Sequence, residues 1–142
     1  MRRMIRYDYH FKVRYKDIDQ MGVMYYSRYY EYFEAARTDM MRELGLTYKA
    51  LEAEGIMMPV VHSESDYFHG PGFDDHLTCI TEVTEWPKGK MEILYTLVND
   101  NDPEKVLNRG KTIHAFVKMN GRPTRMPDSL KQVLAEKWKT KQ

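Results

Sequence analysis

The stretch YKDIDQMGVMYYSRYYEYF, from Tyr15 to Phe33, joins a short polar segment to a segment dense in tyrosine. Asp17 and Asp19 lie two residues apart in the polar segment, and Gly22 marks a turn after them. From Tyr26 to Leu44, large apolar residues recur every three or four positions, which is the spacing of one buried helix face. The stretch therefore predicts a polar turn that leads directly into one long amphipathic helix.

The ends of the predicted helices are marked by the residues that flank them. Ser27 is a residue type favoured at an N-cap, and Gly45 is a residue type favoured where a helix stops. A short second helix is predicted over Thr47–Ala53, before Gly55. A closing helix is predicted over Ser129–Trp138, after a segment rich in Gly, Pro and Arg.

Five segments have the alternation or the apolar runs typical of strands, and turn residues separate them. They are Tyr9–Tyr15, Met58–Phe68, Leu77–Trp86, Met91–Val98 and Val106–Met119. The segment NDNDPEK between the last two is predicted to be a turn. One strand, a long helix and then a run of antiparallel strands predict an α+β fold, in which one sheet packs against a helix.

Length and composition limit the class of protein. A chain of 142 residues is long enough for one buried core, and we predict a single domain over residues 1–142. The net charge of +1 argues against a nucleic-acid binder that depends on phosphate contacts. No segment approaches the about 20 apolar residues of a membrane span, and the N-terminal segment lacks the apolar core of a signal peptide. We therefore predict a cytoplasmic protein with no membrane span.

The acidic pair Asp17 and Asp19 has two interpretations. At the end of a strand, residues two apart point the same way, and such a pair commonly solvates a loop or caps a helix. However, Gly22 permits close approach of the backbone, and the start of the helix offers unpaired N–H groups. A carboxylate beside a helix N-terminus with an aromatic wall has the parts of an acyl-transfer site. The spacing by itself leaves both interpretations open.

Three segments resemble the 4-hydroxybenzoyl-CoA thioesterase family of hotdog proteins. In that family an aromatic residue, an acidic pair, a glycine and small apolar residues run into the central helix, as Tyr15–Tyr25 does here. The helix segment Tyr29–Met41 and the strand start Gly72–Leu77 continue the similarity, which covers about residues 9–130. The nearest subgroup is that of the short acyl-CoA thioesterases associated with the Tol–Pal envelope cluster. The resemblance implies a hotdog fold, a strongly curved antiparallel sheet wrapped around one long central helix.

The resemblance also implies an active site. The second acid of the family's pair, Asp19 here, is the catalytic carboxylate, acting as nucleophile on the thioester carbonyl or as base for water. A backbone N–H in the first turn of the helix, at Tyr26 here, holds the carbonyl oxygen. Gly22 and Tyr25 are expected to contact the substrate, since the glycine lets the backbone approach and the aromatics wall the acyl pocket. The implied hydrolysis needs neither a metal nor a cofactor.

Two departures from the nearest subgroup concern the residues around the acid. Gln20 and Met21 are bulkier than the small residues usual between the acid and the glycine. No histidine lies between Asp17 and Tyr32, although the subgroup often carries one where Tyr26 stands. A direct histidine role at that position is therefore absent. The same feature argues against the hydratase branch of hotdog proteins, in which Asp and His act together at short spacing.

Assembly is a further implication of the resemblance. One curved sheet around one helix leaves edge strands and an incomplete acyl site, so we expect a homodimer or a homotetramer. In such a dimer the backbone around Gly55–Met58 of one subunit helps to line the site of the other. Met57 and Met58 are therefore candidate substrate-binding residues.

A small basic cluster, defined by Lys118, Arg122 and Arg125, lies near the end of the last predicted strand. Such a cluster is ordinary solvated surface in many proteins. In an enzyme that binds CoA it is also a natural site for phosphate groups, because Lys and Arg form charge-assisted hydrogen bonds to them.

Other polar residues have structural interpretations. Glu34 and Arg37, three residues apart on the long helix, are predicted to form an ion pair. Cys79, the single cysteine, excludes an internal disulfide and is predicted to pack in the core of an alternating strand. Three histidines follow one another at intervals of seven residues: His62, His69 and His76. No metal site is predicted from them, because residues spaced in this way on strands and a loop would not converge on one ion.

The sequence therefore predicts an acyl-CoA thioesterase that acts on a short-chain or aromatic acyl group. Two alternatives remain open. One is the same fold acting on an acyl group held by acyl carrier protein, which the balanced charge disfavours because an acidic carrier would need a broad basic face. The other is a non-catalytic module that binds acyl-CoA.

Overall fold

The computed structural model describes residues 4–138 and contains three helices, seven strands and a short 3-10 turn at Tyr15–Asp17. The helices are α1 (Arg28–Leu44), α2 (Tyr48–Ala53) and α3 (Asp128–Trp138). The strands are β1 (Ile5–Lys12), β2 (Ile56–Met57), β3 (Val60–Tyr67), β4 (His76–Val83), β5 (Lys90–Asn99), β6 (Asp102–Ala115) and β7 (Val117–Lys118).

One antiparallel sheet forms most of the fold, in the strand order β1-β4-β5-β6-β3. The pair β2-β7 is a second, two-stranded antiparallel sheet. All neighbouring strands of the main sheet are antiparallel, which agrees with the predicted α+β class. In the part of the chain that the structure describes, no helix has the length and apolar character needed to cross a membrane.

Helix α1 packs on the sheet and buries its apolar face there. The ring of Phe33 stacks on Tyr95 of β5 with the centroids 4.3 Å apart. A Cβ atom at Gly110 of β6 would lie 2.4 Å from the same ring, so only glycine fits beneath it. At the β1 edge of the sheet, Tyr32 stacks on Phe11 with the ring centroids 3.9 Å apart. These contacts fix the helix across the sheet and therefore fix the position of the turn that precedes it.

The ends of α1 follow the predicted residues. Gly45 occupies the C-cap with φ 94°, a left-handed conformation that glycine adopts without strain. Ser27 occupies the N-cap, but its side chain makes no capping hydrogen bond and its backbone is helical. The turn just before the helix is therefore not closed by a side chain, which leaves its N–H groups to other partners.

Several predicted strand limits are wrong. The first strand is β1, which ends at Lys12, whereas the predicted segment ran from Tyr9 to Tyr15 and included part of the 3-10 turn. The predicted turn NDNDPEK is shorter, because β6 already begins at Asp102. The predicted strand Val106–Met119 is broken after Ala115, since the chain leaves β5 there and β7 pairs with β2 instead.

Of the two structural side-chain predictions, one is confirmed and the other is wrong. Cys79 is fully buried, and burial raises the pKa of its thiol to about 12. Among residues 4–138, Glu34 and Arg37 form no ion pair within 4.0 Å. Arg37 instead lies beside the hydroxyl groups of Tyr48 and Tyr95, since the helix turns it towards the interior.

Candidate active site

The polar segment after β1 folds into a tight hairpin. The N–H of Asp19 donates to the carbonyl of Val23 at 3.0 Å, and the N–H of Gly22 donates to the carbonyl of Asp19 at 3.0 Å. Gly22 has φ 82°, which a residue with a Cβ rarely adopts. A bridge between Ile18 and Met24 closes the base of this hairpin, which we call the acid loop (residues 19–23). The glycine therefore shapes the turn that presents Asp19.

The two acids do not point the same way, contrary to the expectation from their spacing. Asp17 is fully buried, since the 3-10 turn at Tyr15–Asp17 rotates it inward. Its carboxylate accepts hydrogen bonds from the N–H of Arg14 at 3.0 Å, from the ammonium group of Lys16 at 2.8 Å and from the hydroxyl of Tyr32. Burial favours the protonated acid, but these donors outweigh it and hold the pKa of Asp17 below its ordinary value.

Asp19 is half-buried and faces a cavity. One carboxylate oxygen accepts a hydrogen bond from the N–H of Met21 at 2.8 Å. Its other oxygen has no protein partner among the described residues. The cavity has a volume of about 300 Å³, and a second depression of about 450 Å³ adjoins Asp19 on the side of Tyr15 and Gln20. The 300 Å³ cavity is lined by Asp19, Val23, Met24, Tyr25, Tyr26, Tyr29, Tyr67, Phe68, His69 and Gly70.

Tyr26 lies in the same cavity, one residue before the N-cap of α1. Its carbonyl oxygen accepts a hydrogen bond from the hydroxyl of Tyr67 at 3.3 Å. The N–H of Tyr25 donates to the carbonyl of Asp17 at 2.8 Å. The N–H of Tyr26, in contrast, donates to no acceptor within residues 4–138. A free N–H at a helix N-terminus is a donor for a partly negative oxygen, and the helix dipole adds to this effect.

Two tyrosines of the cavity, Tyr25 and Tyr29, have a pKa above the ordinary value, so they stay protonated at neutral pH. Burial, with smaller effects of Tyr67 and Asp19, raises the pKa of Tyr29 to about 12. A side-chain hydrogen bond between Tyr25 and Tyr26 raises the pKa of Tyr25 above its ordinary value. The Tyr29 and Tyr67 rings meet edge to face with their centroids 4.8 Å apart. The carboxylate of Asp19 therefore lies in a cavity whose wall is largely aromatic.

Met57 and Met58 lie in a different cavity of the same chain. That cavity, of about 300 Å³, shares no lining residue with the cavity of Asp19. The hydroxyl of Tyr48 in its wall is buried without a well-formed hydrogen bond. Within one protomer, therefore, Met57 and Met58 do not join Asp19.

The residues of the predicted basic cluster lie in a turn and in the wall of a cavity. Lys118 and Arg122 close a turn, in which the N–H of Lys118 donates to the carbonyl of Arg122 at 2.9 Å. Arg125 lines a separate cavity of about 320 Å³ together with Trp86, Lys88 and Lys131. None of the three predicted residues lines the cavities that contain Asp19.

His69 is a polar residue of the cavity that the sequence analysis did not assign to the site. It follows β3 and is far from Asp19 along the chain, but it lines the cavity of Asp19. The signal in the sequence was the loop His69–Gly72, whose two glycines allow close contact with another loop. Among the described residues, no group of three or more His, Cys, Asp or Glu side chains could hold a metal ion.

The sheet, its helix and the placement of the acid loop define the class of fold. A crystal structure of a 4-hydroxybenzoyl-CoA thioesterase variant, in complex with 4-hydroxybenzoyl-CoA, matches the chain with a TM-score of 0.82. The two are 18% identical, and the match covers 92% of this chain and 99% of that one. The fold is the hotdog fold, which confirms the architecture that the sequence implied.

Sequence similarity places the chain within a family. Residues 13–134 match the thioesterase-like superfamily, and the chain belongs to this family. It is 28% identical to the acyl-CoA thioester hydrolase YbgC of Escherichia coli over 120 residues, which are 84% of this chain and 88% of that protein. It is 38% identical to YneP of Bacillus subtilis over 56 residues, which are 39% of this chain and 41% of that protein.

Proposed function

We propose that this protein hydrolyses acyl-CoA thioesters, with Asp19 as the reactive carboxylate. The observation that carries the proposal is the joint placement of Asp19 and the unpaired N–H of Tyr26 in one aromatic cavity. The family and the name of the Escherichia coli relative support the same reaction. The arrangement needs no group other than those of the chain, the thioester and water.

The reaction follows from the charges of these groups. The unpartnered oxygen of Asp19 attacks the thioester carbonyl, or it takes a proton from a water molecule that attacks instead. Negative charge then develops on the carbonyl oxygen, where the N–H of Tyr26 donates to it. One such donor typically contributes about 100- to 1000-fold in rate. Collapse of the intermediate breaks the C–S bond and releases CoA. Where water attacks, the free acid is the other product; where Asp19 attacks, water then hydrolyses the acyl anhydride on Asp19 and releases the acid.

The acyl group would lie against the tyrosine wall. Tyr25 and Tyr29 are in this wall, and their rings offer large apolar area that suits a short or aromatic acyl chain. Gly22 shapes the acid loop and carries no side chain into the approach to Asp19. These features support a short-chain or aromatic acyl-CoA as the substrate.

One experiment separates the proposed enzyme from its two rivals. A panel of acyl-CoA thioesters of different length and aromatic character is assayed by release of the free thiol, and the same acyl groups are tested on acyl carrier protein. Turnover of acyl-CoA supports the proposal, and faster turnover of the carrier-bound form would favour a carrier thioesterase. Tight binding of acyl-CoA without thiol release would show a binding module and contradict the proposal.

Dimerisation would complete the site. β3 forms one edge of the main sheet, and its side chains are mostly exposed, including Val60 at 43% and Val61 at 51%. An exposed edge strand presents unpaired backbone N–H and C=O groups, with which a second copy of the chain can pair. The partner's Met57 and Met58 would then be available to the cavity of Asp19, which they do not reach within one protomer.

We expect light scattering to give at least a homodimer. Replacement of Val61 by Lys places a charge near the start of this edge strand and should shift the protein towards monomer, with a loss of activity at low concentration. Replacement of the exposed Lys90 by Glu, on the internal strand β5, is the control and should leave the assembly unchanged. A stable monomer with full activity at nanomolar concentration would contradict the proposed dimer.

The phosphates of CoA need cationic partners outside the acyl cavity. Lys118 and Arg122 form one basic group, and Arg125 with Lys88 and Lys131 forms another. The double replacement Arg122→Ala and Arg125→Ala is expected to raise KM for acyl-CoA about fivefold or more, and added salt should have a similar effect. The single replacements show which of the two groups binds the phosphates.

The control substrate for this prediction is an acyl-pantetheine thioester, which lacks the nucleotide. Its hydrolysis should not change in the double variant, because the acyl cavity is untouched. Equal losses on both substrates would mean that the arginines support the fold. An unchanged KM for acyl-CoA would mean that Arg122 and Arg125 are surface residues that do not bind the substrate.

A further inference from the structure

His69 has a free imidazole in the wall of the cavity that contains Asp19. No hydrogen bond or ion pair involves this side chain within residues 4–138. His10, His62 and His114, in contrast, each have a polar partner, at 2.9 Å, 2.8 Å and 2.9 Å respectively. The imidazole of His69 is therefore available to a bound substrate.

The backbone holds His69 at this place. The N–H groups of Phe68 and His69 both donate to the carbonyl of Leu107 on β6, at 2.9 Å and 3.1 Å. Two consecutive donors on one acceptor end the regular pairing of β3 with β6 at this point. The chain then turns away from the sheet, and His69, which is exposed, lines the cavity that contains Asp19.

The segment after His69 is packed directly on the acid loop. A Cβ atom at Gly70 would lie 2.7 Å from the Cβ of Val23, so the two segments touch through the bare backbone of the glycine. The N–H of Met24 donates to the carbonyl of Pro71 at 2.9 Å. These two contacts fix the position of His69 relative to the loop that carries Asp19.

We propose that His69 donates the proton that the sulfur of CoA takes up when the C–S bond breaks. The inference rests on the proposed hydrolysis. Imidazole is the side chain that gives and takes protons between about pH 5 and pH 8. Among the tyrosines of the cavity, Tyr29, with a pKa of about 12, holds its proton too tightly for this role.

The proton balance of the step is complete. Water gives one proton to Asp19 and adds its hydroxyl to the carbonyl carbon, and the electron pair of the carbonyl moves to oxygen beside the N–H of Tyr26. The pair returns, the C–S bond breaks, and the sulfur takes the proton of the His69 imidazolium. Asp19 then returns its proton to His69 through solvent. The sum is thioester plus water to carboxylic acid plus thiol.

A pair of small thioesters with the same acyl group tests this role. One has N-acetylcysteamine as the leaving thiol, an alkyl thiol like CoA, and the other has 4-nitrothiophenol, whose thiolate is stable without a proton. The replacement His69→Gln is expected to lower kcat/KM for the alkyl thioester by about 100-fold and for the aryl thioester by less than about threefold.

Three proteins accompany this variant. Wild-type protein establishes the turnover, and Asp19→Asn should lose activity on both thioesters, since attack is needed for either. His76→Gln is the matched control, because His76 is exposed at the start of β4 and outside the cavity, and it should behave as wild type.

Each other outcome overturns the inference. Full activity of His69→Gln on both thioesters would mean that the imidazole takes no part, although the proposed hydrolysis by Asp19 would stand. Equal losses on both thioesters would show that His69 positions the substrate and does not protonate the sulfur. An absence of turnover in the wild type across the acyl-CoA panel would overturn the proposed function and this inference with it.

Discussion

Asp19→Asn is expected to lower kcat by about 100-fold or more and to leave the fold intact. The amide keeps the shape of the side chain and the hydrogen bond from the N–H of Met21, but it neither attacks a carbonyl nor takes a proton from water. The loss should appear in kcat more than in KM, because the attack is made only in the transition state. Thiol release from the best acyl-CoA of the panel measures it.

The matched control for this prediction is Asp17→Asn, since the two acids are neighbours with different surroundings. Asp17 is fully buried and its carboxylate is occupied by three donors, so it does not reach a substrate. We expect the folded fraction of Asp17→Asn to retain more turnover than Asp19→Asn. Near-wild-type turnover of Asp19→Asn, or a larger loss in Asp17→Asn per folded molecule, would contradict the assignment.

The order of the elements could be predicted because it depends on local signals. The periodic apolar residues of α1 and the glycine at its C-cap, Gly45, are properties of neighbouring residues, and both agree with the structure. The end of the last long strand depends on distant residues instead. β7 leaves the main sheet to pair with Ile56–Met57, and nothing in the segment around Phe116 announces that partner.

The candidate site shows the same limit. The sequence indicated that the acid loop and Tyr26 belong together, since they are close along the chain and resemble a family signature. It did not separate the two acids, because the 3-10 turn that buries Asp17 breaks the strand geometry on which the spacing argument relied. His69 was missed because contacts between segments distant along the chain, Gly70 with Val23 and Pro71 with Met24, bring it to the loop of Asp19. The predicted Glu34–Arg37 pair failed for a related reason, since packing turns Arg37 towards Tyr48 and Tyr95.

Asp17→Asn is expected to lower the free energy of unfolding by about 3 kcal/mol, the largest change in stability that we predict for this turn. Both oxygens of the buried carboxylate accept hydrogen bonds from donors, Arg14 and Tyr32 on one and Lys16 on the other. An amide offers only one acceptor, so its NH₂ group must face a donor in either orientation. Chemical denaturation with a constant m-value measures the loss.

Tyr32→Phe is the control for the stability of this buried group. It removes one donor and leaves the carboxylate with Arg14 and Lys16, so we expect a smaller loss of about 1 kcal/mol. The loss of unfolding free energy in the double variant should be smaller than the sum of the losses in the two single variants, because both replacements remove the same hydrogen bond. Full additivity would show that the hydroxyl of Tyr32 and the carboxylate of Asp17 contribute independently.

The pH dependence of stability on the acid side distinguishes Asp17 from His114, a second buried group whose pKa lies in the acid range. Burial lowers the pKa of His114 to about 4 from its ordinary 6.5, so the unfolded chain binds the proton first and stability falls between these values as the pH falls. The pKa of Asp17 is lowered from 3.8, so its contribution is present above that value and is lost only at lower pH. Asp17→Asn should therefore lower the free energy of unfolding at every pH above 4. It should keep the slope of this free energy against pH between pH 6.5 and pH 4, which comes from His114, and reduce the slope below pH 4. An unchanged slope below pH 3.8 in the variant would mean that a different carboxylate causes the acid unfolding.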